Sequence, residues 1–324
     1  MPPAVNPISS APPGSCRAVA HSNIALAKYW GKRDVERNLP DVPSLSMTLA
    51  ALSTVTSVHF DPSAQADEFV LNGKLQEPAA SLKVLALLDR VRSAAGIELC
   101  ARVASHNDFP TASGLASSAS GFAALALASS TAAGLSLAEP ALSDLARAAS
   151  VSAARSISGG FVALEAGATQ AEALDVPAAA GELMMLVAVT DPGPKAVGST
   201  RAMQLTQASS PYYASFRESA PVVYRELRAA LLAGDLERLG DAMEQSTLLM
   251  HACMLAARPA LLYWNPATVA ALQRVRELRA AGAFAYFTID AGPHVKVLTR
   301  REQVAGIAAQ LAAVPGVERV IGKA

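Results

Sequence analysis

The sequence predicts an α+β fold in two domains, and three observations predict it. Short apolar runs separated by Pro and Asn fill residues 16–60, as strands and their loops do. Further on, apolar residues recur at helical spacing over several long stretches. The C-terminal end reads strand, Gly-Pro turn, strand, helix, strand, which is half of a split βαβ layer. With 324 residues, 52% of them hydrophobic, the chain is long for one core and comfortable for two.

The elements follow in order. Residues 1–14 lack the basic start and apolar stretch of a signal peptide and are expected to form a short disordered tail. Residues 68–70 and 74–75 form a predicted hairpin, because Asn72-Gly73 between them supplies the positive φ angles of a type I′ turn. Leu82, Leu85, Leu88 and Val91 mark a helix over 81–95 that stops near Gly96. Residues 98–105 alternate like a half-buried strand. A polar loop over 107–114 then leads into a long Ala/Leu helix ending near 133, and a second helix covers 139–149. The continuous apolar run 183–190 predicts a buried strand, ended by Asp191-Pro192-Gly193-Pro194. Helices are expected over 212–232, 236–256 and 267–281. Strands 284–289 and 295–299, a helix 303–313 and a strand 317–321 complete a ferredoxin-like layer. The domains are expected to span 15–182 and 183–324.

Composition narrows the function. Lys+Arg and Asp+Glu are both 27, so the basic excess of a nucleic-acid or membrane-surface binder is missing. Cys16, Cys100 and Cys253 lie far apart without a CxxC pair, which fits neither a zinc site nor a disulfide framework. A reducing cytosol suits them. The most apolar segment, 121–137, is too short and too broken by Ser, Thr and Gly to span a bilayer.

Four segments carry chemistry. PTASGLASSASG at 110–121 runs a small-residue loop into the start of a helix. Free N–H groups and the positive end of the dipole there suit a phosphate, with Gly114 allowing close approach and Ser117, Ser118 and Ser120 adding hydroxyls. The same residues also serve as caps or let two helices pack closely. No Walker A string occurs. NIALAKYWGKRD at 23–34 crowds Lys28, Lys32 and Arg33 around Tyr29 and Trp30, which suits an anion with a carbon skeleton or, equally, a solvated basic turn. SVSAARSISGG at 150–160 sets a lone Arg155 among serines, a clamp for carboxylate or phosphate or else a surface loop. TIDAGP at 288–293 places Asp290 at a strand end, as an active-site carboxylate or as a turn cap.

Taken together and in this order, these segments resemble the diphosphomevalonate decarboxylases of the GHMP kinase superfamily. NIALAKYWGKRD, NLPDVPSLSMTL, FPTASGLASSASGFAAL, ARSISGGF, GSTRAMQ and FTIDAGPHVKV carry the resemblance from Asn23 to Val297, nearly the whole chain. KYWGKRD with a downstream DAGP is specific to the family, whereas the Gly/Ser loop alone indicates only the superfamily.

The resemblance implies a ribosomal protein S5 domain 2-like N-terminal domain, a ferredoxin-like C-terminal domain and a site between them. It implies ATP-dependent decarboxylation of 5-diphosphomevalonate to isopentenyl diphosphate, through phosphorylation of the 3-hydroxyl, in a cytoplasmic homodimer. Asp290 would orient or deprotonate that hydroxyl, with Lys28 beside it, and Arg155 would hold the substrate carboxylate. Tyr29, Lys32, Ser150, Ser152 and Ser199 would bind the substrate, mainly its diphosphate. Gly114, Leu115, Ala116, Ser117, Ser118 and Ser120 would hold ATP, with Mg2+ among its phosphates and Ser117 or Ser118 as the candidate protein ligand. Val151, Thr200 and His294 depart from residues common in the family and leave the number of substrate phosphates open. A monophosphate or bisphosphate decarboxylase and a mevalonate 3-kinase are the alternatives. Because Lys28 and Asp290 are both present, decarboxylation is favoured over the 3-kinase. A non-catalytic ligand-binding relative is the remaining alternative.

Overall fold

The computed structural model describes residues 5–7, 14–109, 117–191, 193 and 197–322. Gly114, Leu115 and Ala116 lie outside them, as do most of residues 1–14 and residues 192 and 194–196.

The first lobe is a sheet of eight strands with helices on one side. In chain order it comprises β1 (Val5–Pro7), β2 (Ser15–Ala27), the small pair β3 (Lys32–Asp34) and β4 (Leu39–Pro40), β5 (Ser44–Asp61), β6 (Glu68–Leu71), β7 (Lys74–Leu75), α1 (Pro78–Ala95) and β8 (Cys100–Asn107). Then follow α2 (Ser117–Ala132), α3 (Glu139–Ala149), a 3-10 turn (Val151–Ser156), β9 (Phe161–Leu164) and β10 (Glu172–Leu174). The path through the sheet is β1-β2-β5-β8-β6-β7, with β9 joining β5 and β10 joining β9, while β3 and β4 pair separately. A core of Ala18, Val58, Val84, Leu88, Ala124 and Ala128 lies between the sheet and α1 and α2. Small residues along α2 let it press close to the strands.

Three expectations needed correction here. Residues 5–7 are not tail. They pair antiparallel with β2, Val5 opposite Ala20, and Val5 is buried at the sheet edge. The apolar stripe of α1 is Val84, Leu87, Leu88 and Val91, whereas Leu82 is 63% exposed. The helix also starts earlier than expected, at Pro78, where a proline's missing N–H costs nothing. The hairpin holds: Asn72 and Gly73 have φ +50 and +78, as a type I′ turn requires.

The second lobe runs α4 (Ala178–Gly181), β11 (Leu183–Val189), α5 (Ser199–Ser209), α6 (Tyr213–Ala233), α7 (Leu236–Leu255), α8 (Pro266–Ala280), β12 (Ala285–Thr288), β13 (Val295–Arg300), α9 (Val304–Ala312) and β14 (Arg319–Ile321). Its sheet, in the order β12-β13-β11-β14, is antiparallel throughout. Alternate residues of β11 serve two cores. Leu186 and Ala188 pack with α8 and α9, while Met185, Val187 and Val189 pack with α6 and α7. Burial on both faces is why this strand reads as one apolar run. The α6–α7 layer continues onto Ile24, Leu26, Leu45 and Met47 of the first sheet, so one core joins the lobes.

Candidate active site

Where the lobes meet, the inner ends of β2 and β12 are tied together. The Lys28 N–H donates to Ser246 Oγ of α7 at 2.8 Å, and Thr288 Oγ1 donates to the Ala25 carbonyl at 3.3 Å. Both strands stop there, so Lys28 and Asp290 emerge face to face. Lys28 Nζ lies 2.5 Å from Asp290 Oδ1. Lys296 of β13, fully buried, approaches Oδ2 at 3.2 Å. Burial alone would raise the Asp290 pKa, but the charges and hydrogen bonds of Lys28 and Lys296 overcome it and hold the carboxyl well below its usual range. Burial has the larger hand on Lys28, whose pKa falls to about 8 despite the attraction of Asp290.

Arg155 is the third cation. The 3-10 turn that carries it is fixed by Asn23, whose Nδ2 donates to the Ser152 carbonyl at 3.0 Å and to Ser156 Oγ at 2.7 Å. Arg155 Nη1 donates to Ser44 Oγ at 2.6 Å, but its buried Nε–H finds no partner among the described residues. Burial lowers its pKa to about 10, which leaves it charged at neutral pH. A buried guanidinium with unused donors is suited to a carboxylate or phosphate brought by a ligand.

These groups open into a cavity of ≈ 590 Å³ between the lobes. It brings together Lys28, Tyr29, Lys32 and Asp290 with Ser150, Ser152 and Arg155. Ser117 and Ser118 reach it from the start of α2, and Ser199 from the start of α5. Among the described residues five cations line it, Lys28, Lys32, Lys83, Arg155 and Arg201, against the single carboxylate of Asp290. A space with that imbalance takes a polyanion. Burial and then the nearness of Lys83 push the Lys32 pKa down.

One expected residue is not brought in. The Ser120 side chain is buried against the sheet, bonded to Thr54 Oγ1 at 2.7 Å and Ser22 Oγ at 3.1 Å. Ser117 and Ser118 face the cavity, and Ser120 lies on the side of α2 that packs on the strands. Its hydroxyl is therefore not a cavity donor. Of the three residues that depart from the family pattern, His294 is buried off the cavity, its Nδ1 accepting the Thr190 N–H at 3.3 Å. Burial keeps it neutral, with a pKa of about 3.

Sequence reasoning missed Lys296, Lys83 and Arg201. Lys296 could have been found, since a charge inside the apolar string VKVL is buried on either face of its strand. Lys83 and Arg201 sit among ordinary helical polar residues and carry no such signal.

Two family models match the chain. The diphosphomevalonate decarboxylase-like N-terminal domain covers residues 20–175, and the mevalonate 5-diphosphate decarboxylase C-terminal domain covers 185–321. The chain belongs to the diphosphomevalonate decarboxylase family. The Staphylococcus aureus mevalonate diphosphate decarboxylase has the same GHMP kinase fold, with a TM-score of 0.90 and 38% identity over 95% of this chain and 94% of that one. A structure of MDDEF in complex with MVAPP, AMPPCP and magnesium is similar at TM-score 0.89, 40% identity and 95% coverage of both chains. The Haloferax volcanii phosphomevalonate decarboxylase is 33% identical over 89% of each chain. Among the described residues no helix is long and apolar enough to cross a membrane.

Proposed function

We propose that this chain, as a cytoplasmic homodimer with lobes dividing at residue 182, decarboxylates 5-diphosphomevalonate at the expense of ATP. The products are isopentenyl diphosphate, ADP, phosphate and CO2. The observation that carries this reading is the Lys28–Asp290–Lys296 cluster at the floor of a cavity whose remaining charge is cationic.

In this reading Asp290 accepts a hydrogen bond from the tertiary 3-hydroxyl and aims its oxygen at the γ-phosphorus of ATP. The low pKa of Asp290 makes it a poor base, so its main work is orientation. An O–P bond forms at that oxygen as the bond from the γ-phosphorus to ADP breaks, ADP departs, and the hydroxyl proton passes to solvent. The C3–O bond then breaks with the phosphate. Electrons of the bond to the carboxylate carbon move into the new double bond, and CO2 is released. Arg155 holds that carboxylate through its unused N–H groups. Tyr29, Lys32, Ser150, Ser152 and Ser199 hold the phosphate tail, while Ser117 and Ser118 meet the nucleotide phosphates.

No group of three or more His, Cys, Asp or Glu side chains fit to hold a metal occurs among the described residues. The donor set thus fits Mg2+ that would be carried by the nucleotide's own oxygens, with Ser117 or Ser118 as the candidate protein ligand. When bound, the ion neutralises phosphate charge.

A second reading, a monophosphate substrate, is favoured by the similarity to the phosphomevalonate decarboxylase. One experiment separates the two. The protein is incubated with ATP, Mg2+ and each of mevalonate, 5-phosphomevalonate and 5-diphosphomevalonate, and ADP and CO2 are followed together. Equal yields with the diphosphate alone are expected. Equal yields with the monophosphate establish the second reading, ADP without CO2 makes the protein a 3-kinase, and neither product with any substrate ends the assignment.

A further inference from the structure

Gln207 does not line the cavity, yet its side-chain amide grips a residue that does. It sits two turns along α5 from Ser199, half-buried against the first lobe. The Lys32 N–H donates to Gln207 Oε1 at 3.0 Å, and Gln207 Nε2 donates to the Lys32 carbonyl at 3.0 Å. An amide that satisfies both polar groups of one residue fixes that residue's backbone in place and in rotation.

The neighbouring backbone is seated just as firmly. Gly31 has φ +93 and lies so close to the Tyr213 ring that a Cβ would fall 1.9 Å from the phenolic oxygen. Tyr213 in turn donates to Asp41 Oδ2 at 2.7 Å, and the Asp41 N–H donates to the Gly31 carbonyl at 3.2 Å. Lys32 is therefore aimed by elements of the other lobe.

The far end of the same helix carries Ser199, Thr200 and Arg201 into the cavity. A helix rises about 1.5 Å per residue, so the span from Ser199 to Gln207 is about 12 Å of rigid rod. That rod sets the gap between the Lys32 backbone and the polar groups at the start of α5. A lysine on a loose backbone would follow phosphate tails of different length with similar ease. One on a pinned backbone meets the tail that fits without further ordering and reaches another poorly.

We propose that Gln207 is a positioning residue that, by pinning Lys32 to α5, sets how many phosphates the enzyme accepts at carbon 5 of its substrate. The proposal rests on the reading that Lys32 and Ser199 hold the phosphate tail.

The test compares kcat and KM of the wild type, Gln207→Met, Gln207→Asn and Lys32→Met with 5-diphosphomevalonate and 5-phosphomevalonate. Met matches Gln in length and deletes both hydrogen bonds. In Gln207→Met the ratio of kcat/KM for the two substrates is expected to fall roughly tenfold, well within what a misplaced contact costs. The loss is expected in KM for the preferred substrate, with kcat nearly unchanged and the shorter amide of Gln207→Asn intermediate. A merely structural residue would lower both substrates alike, together with the melting temperature. An unchanged ratio in folded Gln207→Met, alongside an altered one in Lys32→Met, overturns the proposal. If Lys32→Met leaves both KM values unchanged, the placement of the phosphate tail is what fails. Should Gln207→Met not fold, Gln207→Asn is judged by the same ratio.

Discussion

Among the described residues, one end of the cavity surrounds its single carboxylate with buried cations, while the other leaves cations facing the space with no carboxylate of their own. Lys28 and Lys296 are 2% and 0% exposed and both reach Asp290. Lys32, Lys83 and Arg201 make no ion pair among the described residues. Buried charges are costly unless each is answered, and once answered they hold their geometry. Half-solvated charges cost little to leave open. On the proposed reading, the first end is thus rigid around the reacting atoms, and the second waits for the charge a substrate brings.

The sharpest way to break that contrast is Asp290→Asn. It keeps the shape but leaves two buried ammonium groups without a counter-charge. Release of ADP and CO2 is expected to fall together by about 10³-fold, within the range for losing a positioned catalytic group. KM for the phosphorylated substrate should change little. Single-turnover measurement of both products checks this, and intact CO2 release would show that Asp290 is not the orienting group.

pH tests the same cluster less drastically. The Lys28 pKa is depressed from that of an ordinary lysine to about 8, so its proton is lost on raising the pH through 8. Asp290, whose pKa is also depressed, stays ionised there. Above about 8 the carboxylate loses one of its two cations, and kcat/KM should decline by up to tenfold per pH unit for a single required proton. Lys28→Arg, which cannot lose its charge in this range, should move that limb upward. A profile flat to pH 10 would place the titrating proton elsewhere.

How far this contrast was legible in the sequence depends on how strongly each element announces burial. The segment 139–149 was readable to the residue as α3, because Leu142 and Ala146 mark one buried face between a proline start and a serine stop. β11 was readable because both its faces are covered. α5 was not, since only Ala202, Met203 and Thr206 are buried along it, too weak a stripe for periodicity to show. The rigid end of the site was half legible: Asp290 and Lys28 stand in distinctive strings, while Lys296 looked like a strand residue. The open end was less so, because Lys83 and Arg201 acquire meaning only from the packing of α1 and α5 around the cavity.

At that open end, Lys32→Met should raise KM for the phosphorylated substrate roughly tenfold, or about 1.4 kcal/mol, while leaving kcat near wild type. Because the lost attraction is partly screened, added salt should raise the wild-type KM more than that of the variant. Steady-state kinetics at two ionic strengths decides it. Equal loss in kcat would move Lys32 to the chemical end of the cavity.

The smallest expected effect is that of Ser120→Ala, and it distinguishes two uses of one helix start. Ser117 and Ser118 face the cavity, but the Ser120 hydroxyl is bonded to Thr54 and Ser22 in the sheet. Removing it deletes buried hydrogen bonds at a cost of about 1 kcal/mol, while Thr54 keeps its 2.6 Å bond to Asn107. The melting temperature should fall by about 2–4 °C, with KM for ATP unchanged. Ser117→Ala should do the reverse, raising KM for ATP with little change in melting temperature. If Ser120→Ala instead weakened ATP binding and left stability intact, α2 would have to turn its buried side toward the nucleotide. Its close packing on β2 and β5 would then be a property of only one state of the enzyme.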